Sequence, residues 1–306
     1  MRVLITGSNG LLGQKLVDRL IGIPSIELMA TSMHDNVIGF SSGYEFARMD
    51  ITDHQQCRDI IQKFQPDTIV NTAAISHADI CEDHPDLCRL VNVDAVGNLV
   101  EIANGLSAHF IHLSTDFVHN GESGPYREND LVAPRNYYGV SKLESEELVQ
   151  KYCKHWAIVR TVLVYGVNSN ISRSNLMLWV KNSLEQGKSI RVVDDQYRTP
   201  TLVEDLAEGL FRLINLKTQG IYNISGEEFL SVYDIALRVA RFFKLPTNLI
   251  SPITTRELSE KAVRPLRTGL LVDKAKSELG FRPTSLENGL DVLKEQLENL
   301  ENDFEY

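Results

Sequence analysis

The amino-acid sequence predicts an α/β fold with a doubly wound parallel sheet and a smaller second unit. Short β-branched runs alternate with longer helical patterns through the first half of the chain, as they do in βαβ units. Three glycines, Gly7, Gly10 and Gly13, stand between the first of these runs and the first helical pattern. A length of 306 residues is enough for about two domains.

The predicted strands are short apolar runs, and the predicted helices are longer runs with apolar residues three or four apart. Gly22 and Pro24 end the first helix, and Pro66 introduces the third strand. In chain order the strands are RVLIT, IELMAT, DTIVNTAA, HFIHLSTD and WAIVRTVLVYG. The helices between them are GLLGQKLVDRLIG, HQQCRDIIQKF, residues 85–104 and NYYGVSKLESEELVQKY. A polar loop at about 116–135 precedes the last of these helices.

Beyond residue 166 the predicted elements are shorter and are separated by turn residues. We therefore predict a first domain over 1–165, completed by about 201–225, and a smaller domain over 166–200 and 226–306. The chain ends in an amphipathic helix that runs into an acidic tail.

Composition excludes several classes of function. A net charge of −10 argues against binding to nucleic acids and acidic membranes, because a phosphate backbone needs cations to neutralise it. The chain has neither an apolar run of bilayer length nor the pattern of a signal peptide, so we expect a cytoplasmic protein. The four cysteines form neither a CxxC pair nor a small disulfide framework, which predicts no metal site and no disulfide. They are Cys57, Cys81, Cys88 and Cys153.

The glycine loop TGSNGLLG has the spacing GxxGxxG, one residue longer than the GxGxxG dinucleotide fingerprint. In such a loop the first glycine permits a tight turn, the second lets the backbone approach a pyrophosphate, and the third lets the helix pack closely. The amino terminus of the following helix attracts the anion. The loop therefore predicts a Rossmann-type dinucleotide site, although the glycines could serve only to turn the chain. The predicted contacts are Gly7, Asn9, Gly10, Leu11, Leu12 and Gly13.

The end of the second strand distinguishes NAD from NADP. A carboxylate there would hold the ribose 2′-hydroxyl of NAD and repel a 2′-phosphate. The sequence instead has Thr31, Ser32 and His34, which tolerate a phosphate, so NADP is favoured and NAD stays open. The other predicted cofactor contacts are Asp50 and Ile51 in ARMDIT, and Asn71, Ala73 and Ala74 in NTAA.

Tyr138 and Lys142 lie four residues apart and so share one face of a predicted helix, whereas Tyr137 pairs in the same way with Ser141. An ammonium beside a phenol lowers its pKa from about 10. Since efficient proton transfer needs a pKa near the working pH, the pair is a candidate general acid. By itself, however, such a pair also arises by chance on many helices.

Upstream, HLSTDFV ends a strand with Ser114, Thr115 and Asp116. Ligands of open α/β sheets bind at the carboxyl ends of the strands. A hydroxyl at this edge could hold a substrate carbonyl toward the phenol, or the residues could simply end the strand.

The motifs TGSNGLLG, NTAA, STD and YGVSK, in this order, resemble those of the extended short-chain dehydrogenase/reductases. Within that superfamily the chain is similar to the dTDP-4-dehydrorhamnose reductases. The similarity extends to about residue 290 and includes ADICE, RTVLVYG, VVDDQYRTPTLVEDLAEGL, GIYNISG and VRPLRTGLLVDKAKSELGF. It implies a Rossmann-type domain with a smaller α/β lid that binds the substrate.

The resemblance also implies a reaction, the NAD(P)H-dependent reduction of a 4-keto group on a nucleotide-linked deoxysugar, first of all dTDP-4-dehydrorhamnose. Tyr138 would protonate the C4 oxygen, Lys142 would hold the nicotinamide ribose and lower the phenol pKa, and Thr115 would orient the ketone. The positions implied to contact the substrate or its surroundings are Ser114, Asp116, Phe117, Asn136, Gln196, Arg198, Thr201 and Arg264.

Two departures from the family pattern concern the substrate. Phe117 stands where tyrosine is usual, and Arg198 stands where glycine is usual. A dehydratase would be expected to have Asp-Glu after the catalytic threonine, and an epimerase an acidic residue after the second strand, so both fit less well. An epimerase/reductase with another substrate stays open, as does a homodimer. So does a non-catalytic NADP-binding subunit, because the regulatory beta subunit of methionine adenosyltransferase resembles the same family.

Overall fold

The computed structural model describes residues 1–39, 42–168 and 175–303. The strands are β1 (Arg2–Thr6), β2 (Glu27–Ser32), β3 (Glu45–Arg48), β4 (Thr68–Asn71), β5 (His109–Thr115), β6 (Trp156–Thr161), β7 (Val164–Tyr165), β8 (Ile190–Val193), β9 (Tyr197–Arg198), β10 (Thr201–Leu202), β11 (Gly220–Asn223), β12 (Leu230–Ser231) and β13 (Ile250–Ile253).

The helices are α1 (Leu11–Leu20), α2 (His54–Phe64), α3 (Ala78–Asp83), α4 (Pro85–Arg89), α5 (Ala95–Leu106), α6 (Tyr137–Tyr152), α7 (Leu176–Glu185), α8 (Val203–Leu216), α9 (Val232–Phe242), α10 (Asp273–Leu279) and α11 (Leu286–Asp303). Within the described residues, none combines the length and the apolar character that crossing a membrane requires.

Seven parallel strands form the central sheet in the order β11-β6-β5-β4-β1-β2-β3. Strand order reverses between β1 and β4, and ligands of doubly wound sheets bind outside the carboxyl ends of the strands at this switch point. The predicted fold class is confirmed.

Helices cover both faces of this sheet. In β1, Val3 and Ile5 point to the side covered by α1 and α8, while Leu4 points to the side covered by α2, α5 and α6. Burial of both faces explains why the central strands read as unbroken apolar runs.

A third apolar cluster lies in the second half of the chain, where α7, α9 and α11 pack together. Three two-stranded sheets accompany it: β7 with β10, β8 with β13, and β9 with β12. Tyr126, in the loop before α6, joins the two halves, because its backbone exchanges hydrogen bonds of 2.8 Å with Gly269 and Leu271. Asn223, at the end of β11, donates to the Tyr126 carbonyl at 3.0 Å. The domain limits given above stay a prediction.

Several elements differ from the sequence prediction, and helix α3 is among those not predicted. The helix expected over 85–104 is divided by a π-helical turn at Leu90–Asp94, whose hydrogen bonds span one residue more than those of an α-helix. The strand WAIVRTVLVYG is divided into β6 and β7, since Leu163 adopts a left-handed φ of 42°. Strand β3 was not predicted, because EFAR is short and half-exposed.

Candidate active site

The glycine loop connects β1 to α1 at the switch point of the sheet. Gly7 has a φ of +69°, and a Cβ atom there would lie 2.8 Å from the Ala73 backbone. A Cβ atom on Gly13 would lie 2.4 Å from the Gly7 carbonyl oxygen. Gly10 donates its N–H to that same oxygen at 3.0 Å, and α1 begins at the next residue. The loop is thus a close-packed turn that presents the amino terminus of a helix.

The end of β2 corrects one expectation. The side chain of Thr31 is fully buried and its hydroxyl donates to the Ile5 carbonyl at 3.0 Å, so it bonds within the sheet and is not exposed for a ligand. Ser32 is nearly buried at the carboxyl end of the strand, and His34 is exposed beyond it.

Arg48, which the sequence analysis missed, lies beside Ser32 in the register of β2 and β3. Its side chain is 65 % exposed and forms an ion pair of 3.5 Å with Asp35. Asn9 of the glycine loop donates to the Asp35 carbonyl at 2.8 Å and so holds this segment against the loop. An exposed ion pair of Arg48 and Asp35 therefore lies at the carboxyl end of β2.

The other predicted cofactor residues divide into surface and interior positions. Ala73 and Ala74 are partly or fully exposed at the end of β4, while Ile51 is buried. Asp50 is half-buried and accepts two hydrogen bonds from Thr52, from its N–H at 2.9 Å and its hydroxyl at 2.7 Å.

Asn71 lies inside the protein. Its Oδ1 accepts from the Thr6 hydroxyl at 2.6 Å, and its Nδ2 is 3.2 Å from Nδ1 of His112. Asn71 therefore links β4 to its neighbours β1 and β5 inside the protein and is not part of the exposed surface at the strand ends.

Tyr138 and Thr115 come together where α6 passes the end of β5. The Thr115 hydroxyl lies near enough to the phenol to affect its pKa, and the Phe117 ring packs edge-on against the Tyr138 ring with centroids 6.0 Å apart. Burial raises the pKa of the Tyr138 phenol, and the neighbouring Thr115 hydroxyl only partly opposes this. The expectation of a lowered phenol pKa is wrong for this structure, because desolvation outweighs any effect of Lys142.

Lys142 is buried below Tyr138, and its Nζ lies 3.1 Å from Nε2 of His112. Burial lowers the pKa of Lys142 to about 8, against the opposing charge of Glu146. Burial also holds the pKa of His112 well below its ordinary value, so that imidazole is neutral. A buried polar chain thus runs from Lys142 through His112 and Asn71 to Thr6.

Asp116 and Arg198 form a buried pair next to Thr115. Asp116 accepts a hydrogen bond from the Thr115 hydroxyl at 3.0 Å and another from Thr268, and it lies 3.9 Å from Nε of Arg198. Burial raises the pKa of Asp116 to about 6, while the Arg198 charge opposes that rise. The guanidinium also lies 5.7 Å from the centroid of the Phe117 ring, so the two departures from the family pattern are in contact.

The terminal nitrogens of Arg198 are committed inside the protein. They donate to the Gln196 side chain and to the backbone carbonyls of Tyr197, Pro265 and Leu266, at 2.8 to 3.1 Å. The expected contact of Arg198 with a diphosphate would require these bonds to be exchanged, so the structure favours an internal role.

Four other positions expected near the substrate also have internal partners. Asn136 caps α6, because its Oδ1 accepts from the Gly139 N–H at 2.8 Å, and the hydroxyl of Thr201 donates to the Val162 carbonyl at 2.6 Å. The remaining pairs are Ser114 with Glu146 at 2.5 Å and Gln196 with Thr255 at 3.1 Å.

Arg264 is half-buried and is held by two carboxylates. It pairs with Asp79 at 2.8 Å and with Glu260 at 3.1 Å. The Arg264 hydrogen bond lowers the pKa of Asp79 to about 2.

Comparison with known proteins identifies the family. The model of the RmlD substrate binding domain family matches residues 1–299. The chain belongs to this family. Its seven-stranded sheet and the switch-point loop agree with the extended short-chain dehydrogenase/reductase fold, to which the sequence motifs pointed.

Curated relatives of this RmlD-family chain include proteins of different roles. It is 34 % identical over 259 residues to methionine adenosyltransferase 2 subunit beta of Xenopus laevis, covering 83 % of this chain and 75 % of the relative. It is 33 % identical over 289 residues to the spore coat polysaccharide biosynthesis protein SpsK of Bacillus subtilis, covering 92 % of this chain and 93 % of the relative.

Solved structures similar to this RmlD-family chain include a dTDP-4-dehydrorhamnose reductase from Clostridium acetobutylicum. That structure has a TM-score of 0.87 and 29 % identity, with 97 % of this chain and 100 % of the other covered. Another is dTDP-4-dehydrorhamnose reductase from Bacillus anthracis in complex with NADP, with a TM-score of 0.83, 27 % identity and coverage of 96 % and 99 %.

Several residues at this site of the RmlD-family chain were missed by the sequence analysis. His112 had a visible signal, since it is a polar residue within the buried run HFIHLST. Thr268 had none, because only the folded chain brings it to Asp116. Cys81 and Cys88 are seven positions apart, yet the turn between α3 and α4 places their sulfur atoms at 2.6 Å.

Proposed function

We propose that this chain is an NADPH-dependent reductase that converts a 4-keto group of a nucleotide-linked deoxysugar to a hydroxyl, with dTDP-4-dehydrorhamnose as its substrate and dTDP-rhamnose as its product. The observation that carries the proposal is the proximity of Tyr138 to Thr115, with the buried Lys142 one helical turn after Tyr138, at the carboxyl edge of the sheet that also holds the glycine loop. Membership of the RmlD family supports sugar-nucleotide reductase chemistry.

A dinucleotide would suit the loop, because glycine at 7 and 13 lets the loop pack closely enough to present the amino terminus of α1 at the strand ends. Gly7, Asn9, Gly10 and the first amides of α1 would hold the pyrophosphate. Ala73 and Ala74 would lie under the nicotinamide half, and Asp50 would meet the adenine. When bound, the reduced nicotinamide supplies a hydride.

The proposed mechanism assigns three steps to the residues of this chain. Thr115 orients the keto oxygen toward Tyr138. Tyr138 holds its proton until the oxygen becomes negative and then donates it, which agrees with a phenol whose pKa is raised by burial. Lys142 holds the ribose of the cofactor and stabilises the phenolate left behind.

Preference for NADP rests on charge at the end of β2. Ser32 and the exposed Arg48 offer a hydroxyl and a cation to a 2′-phosphate, with His34 beside them. The Bacillus anthracis structure, which contains NADP, supports this choice.

Substrate recognition is proposed for the unit formed by residues 166–200 and 226–306, together with Phe117 at the end of β5. Arg264 would reach the nucleotide-sugar, as would Gln196 once its bond to Thr255 is exchanged, and Arg198 would act through Phe117, whose ring it contacts. Because both departures from the family pattern lie here, a different keto sugar remains the first alternative to dTDP-4-dehydrorhamnose.

The direct test is to mix the protein with NADPH and enzymatically prepared 4-keto nucleotide sugars carrying dTDP, GDP or CDP, and to follow NADPH oxidation. We expect turnover with the dTDP sugar. If only the GDP-linked or the CDP-linked sugar is reduced, the proposed substrate is wrong and the proposed reaction still holds. Tight NADPH binding without turnover on any of them would overturn the enzymatic proposal.

A second function is favoured by the similarity to methionine adenosyltransferase 2 subunit beta. In this alternative the chain binds NADP and regulates a partner enzyme without catalysing a reaction itself. A methionine adenosyltransferase catalytic subunit should then co-elute with the chain in gel filtration and change its activity. The absence of co-elution, together with ketone reduction, would exclude this alternative.

A further inference from the structure

Two cysteines lie in the helices α3 and α4, which pack against α6, the helix that carries Tyr138 and Lys142. Cys81 of α3 and Cys88 of α4 are both buried, and their Sγ atoms are 2.6 Å apart. An S–S bond measures about 2.0 Å, so little movement separates this pair from a disulfide. In the described part of the chain, no three metal-ligating side chains cluster.

We propose that Cys81 and Cys88 form a reversible, peroxide-sensitive disulfide that changes the binding of the cofactor. The two thiols give up two electrons and two protons, and one hydrogen peroxide molecule becomes two waters. Disulfides of cytosolic proteins are most often transient and redox-sensing, which is the use inferred for this pair.

Cys88 is suited to react first. Asn92 donates its Nδ2–H to Cys88 Sγ at 3.3 Å, and Ser141 Oγ lies 3.4 Å from the same sulfur. The neighbouring Cys81 thiol, with these partners, lowers the pKa of Cys88. The thiolate is the form that attacks peroxide, so this direction favours Cys88 as the attacking sulfur.

The chemistry takes two steps. The Cys88 thiolate attacks one peroxide oxygen, the O–O bond breaks, and the departing hydroxide takes a proton to become water, leaving a sulfenic acid. The sulfur of Cys81 then attacks the sulfur of Cys88 as its S–H bond breaks, and the sulfenic oxygen leaves with that proton as a second water. The nearness of Cys81 favours this second step over further oxidation.

Peroxide can reach the pair because the covering helices are short. Helix α3 has six residues and α4 has five, and their outward-facing Ile80 and Leu87 are 43 % and 47 % exposed. Local opening of such an element costs less than global unfolding. A molecule little larger than water needs only a small opening.

The thiol pair is coupled to both halves of the proposed active site. Asn92 exchanges two hydrogen bonds with the Ile75 backbone, at 2.9 and 3.0 Å, close to the cofactor segment that ends β4. Ser141 donates to the Tyr138 carbonyl at 2.8 Å and precedes Lys142 in α6. In a disulfide Cys88 has no S–H to donate to Ser141 Oγ, and the negative charge on its sulfur that Asn92 stabilises is lost.

The test exposes the folded protein to hydrogen peroxide, quenches with catalase, alkylates under denaturing conditions and maps the cysteines by mass spectrometry. We expect one Cys81–Cys88 disulfide that dithiothreitol reverses, with Cys57 and Cys153 still alkylated. NADPH affinity, measured by fluorescence, should fall about fivefold, the effect of losing one ordinary hydrogen bond. These readouts need no sugar substrate, so they can fail independently of the reductase proposal.

The matched variants are C88S, C81S and the double variant C57S/C153S, each checked for folding by circular dichroism. The double variant should behave as the wild type does, and C88S and C81S should show no change of affinity with peroxide. Persistence of both thiols in the folded protein, over-oxidation of Cys88, or a disulfide between other cysteines would overturn the proposal. So would a disulfide that leaves NADPH affinity unchanged.

Discussion

Tyr137 and Tyr138 are neighbours in one helix and have different chemistry. Tyr138 lies near the Thr115 hydroxyl and one helical turn before Lys142, while the backbone N–H of Tyr137 donates to Glu82 at 2.8 Å at the surface. The phenol pKa of each is raised by desolvation, and more strongly for Tyr138. Position relative to the strand end, and not residue type, separates a candidate general acid from a surface phenol.

Replacing Tyr138 by Phe should lower kcat for ketone reduction by about 100-fold or more, because the proton donor is lost. NADPH affinity should stay within a few-fold, since the ring and its contact with Phe117 are kept. Steady-state kinetics and fluorescence titration measure both quantities. Y137F is the matched control and should keep near wild-type kcat. A loss below tenfold for Y138F would remove Tyr138 from the role of general acid.

Replacing Arg198 by Met should destabilise the protein more at about pH 8 than at about pH 5. Asp116 has a folded pKa of about 6, above its unfolded value near 4, so its contribution to stability is present at low pH and is lost as pH rises through 6. Without Arg198 the folded pKa rises further and the loss extends to higher pH. Breaking a buried pair costs about 3–5 kcal/mol.

Urea unfolding of the wild type, R198M and R198M/D116N at the two pH values measures this effect. Part of the R198M loss is independent of pH, because four hydrogen bonds to protein oxygens also disappear. The double variant should show a smaller difference between the two pH values. If R198M lowers the free energy of unfolding by the same amount at both pH values, Asp116 carries no charge in the pair.

At the scale of elements, both close packing and the proposed cofactor binding require residues without a side chain in the glycine loop. The amino terminus of α1 reaches the strand ends only because Gly13 lets the helix start against the Gly7 carbonyl. Other elements meet the loop from its sides: β2 brings Ser32, and β4 brings Ala73. A single side-chain atom added to the loop would therefore displace the start of α1.

Gly13→Ala should reduce NADPH affinity more than tenfold and lower stability by about 1–3 kcal/mol, since its Cβ would meet backbone and not a flexible side chain. The control is Gly105→Ala in α5, where a Cβ would contact nothing within 4 Å. That change should be neutral or stabilise by up to about 1 kcal/mol. Isothermal titration and urea unfolding test both variants. Unchanged affinity in G13A would mean that the loop only turns the chain.

The sequence predicted those elements whose pattern is local. Strand β1, helix α1, the pair Tyr138 and Lys142 and the hydroxyls that end β5 all follow from spacing within a few residues. Features that depend on distant partners were missed: Arg48 needed the unpredicted β3, Thr268 approaches Asp116 only in the folded chain, and the turn after α3 joins Cys81 to Cys88. The internal hydrogen bonds of Arg198 could not be predicted for the same reason, because their acceptors include the carbonyls of Pro265 and Leu266, which are distant in the sequence.

At the scale of the whole molecule, the three large apolar clusters are connected by contacts that include a small fourth cluster of Tyr126, Val162 and Leu270. One is the backbone exchange between Tyr126 and the segment around Leu271, which Asn223 at the end of β11 reinforces. Another is the Asp116 and Arg198 pair, which ties the end of β5 to β9. The proposed cofactor edge and the proposed substrate unit are therefore mechanically connected.

NADPH should raise the melting temperature of the protein more than NADH at the same concentration, because a ligand stabilises the folded state according to its affinity. At 100 times its Kd a ligand adds about 2.7 kcal/mol. Differential scanning fluorimetry with both cofactors measures the shifts. R48A should reduce the NADPH shift and leave the NADH shift unchanged. A larger shift with NADH in the wild type would reverse the proposed preference.

The seventh strand of the sheet also has a consequence for synthesis. Strand β6 ends at Thr161, whereas its outer neighbour β11 begins at Gly220. At about 5–20 residues per second, the ribosome needs roughly 3–12 s to make the intervening stretch. Throughout that interval the edge of β6 is an open template for pairing with another chain. We therefore expect nascent chains of intermediate length to be the species that depends most on chaperones.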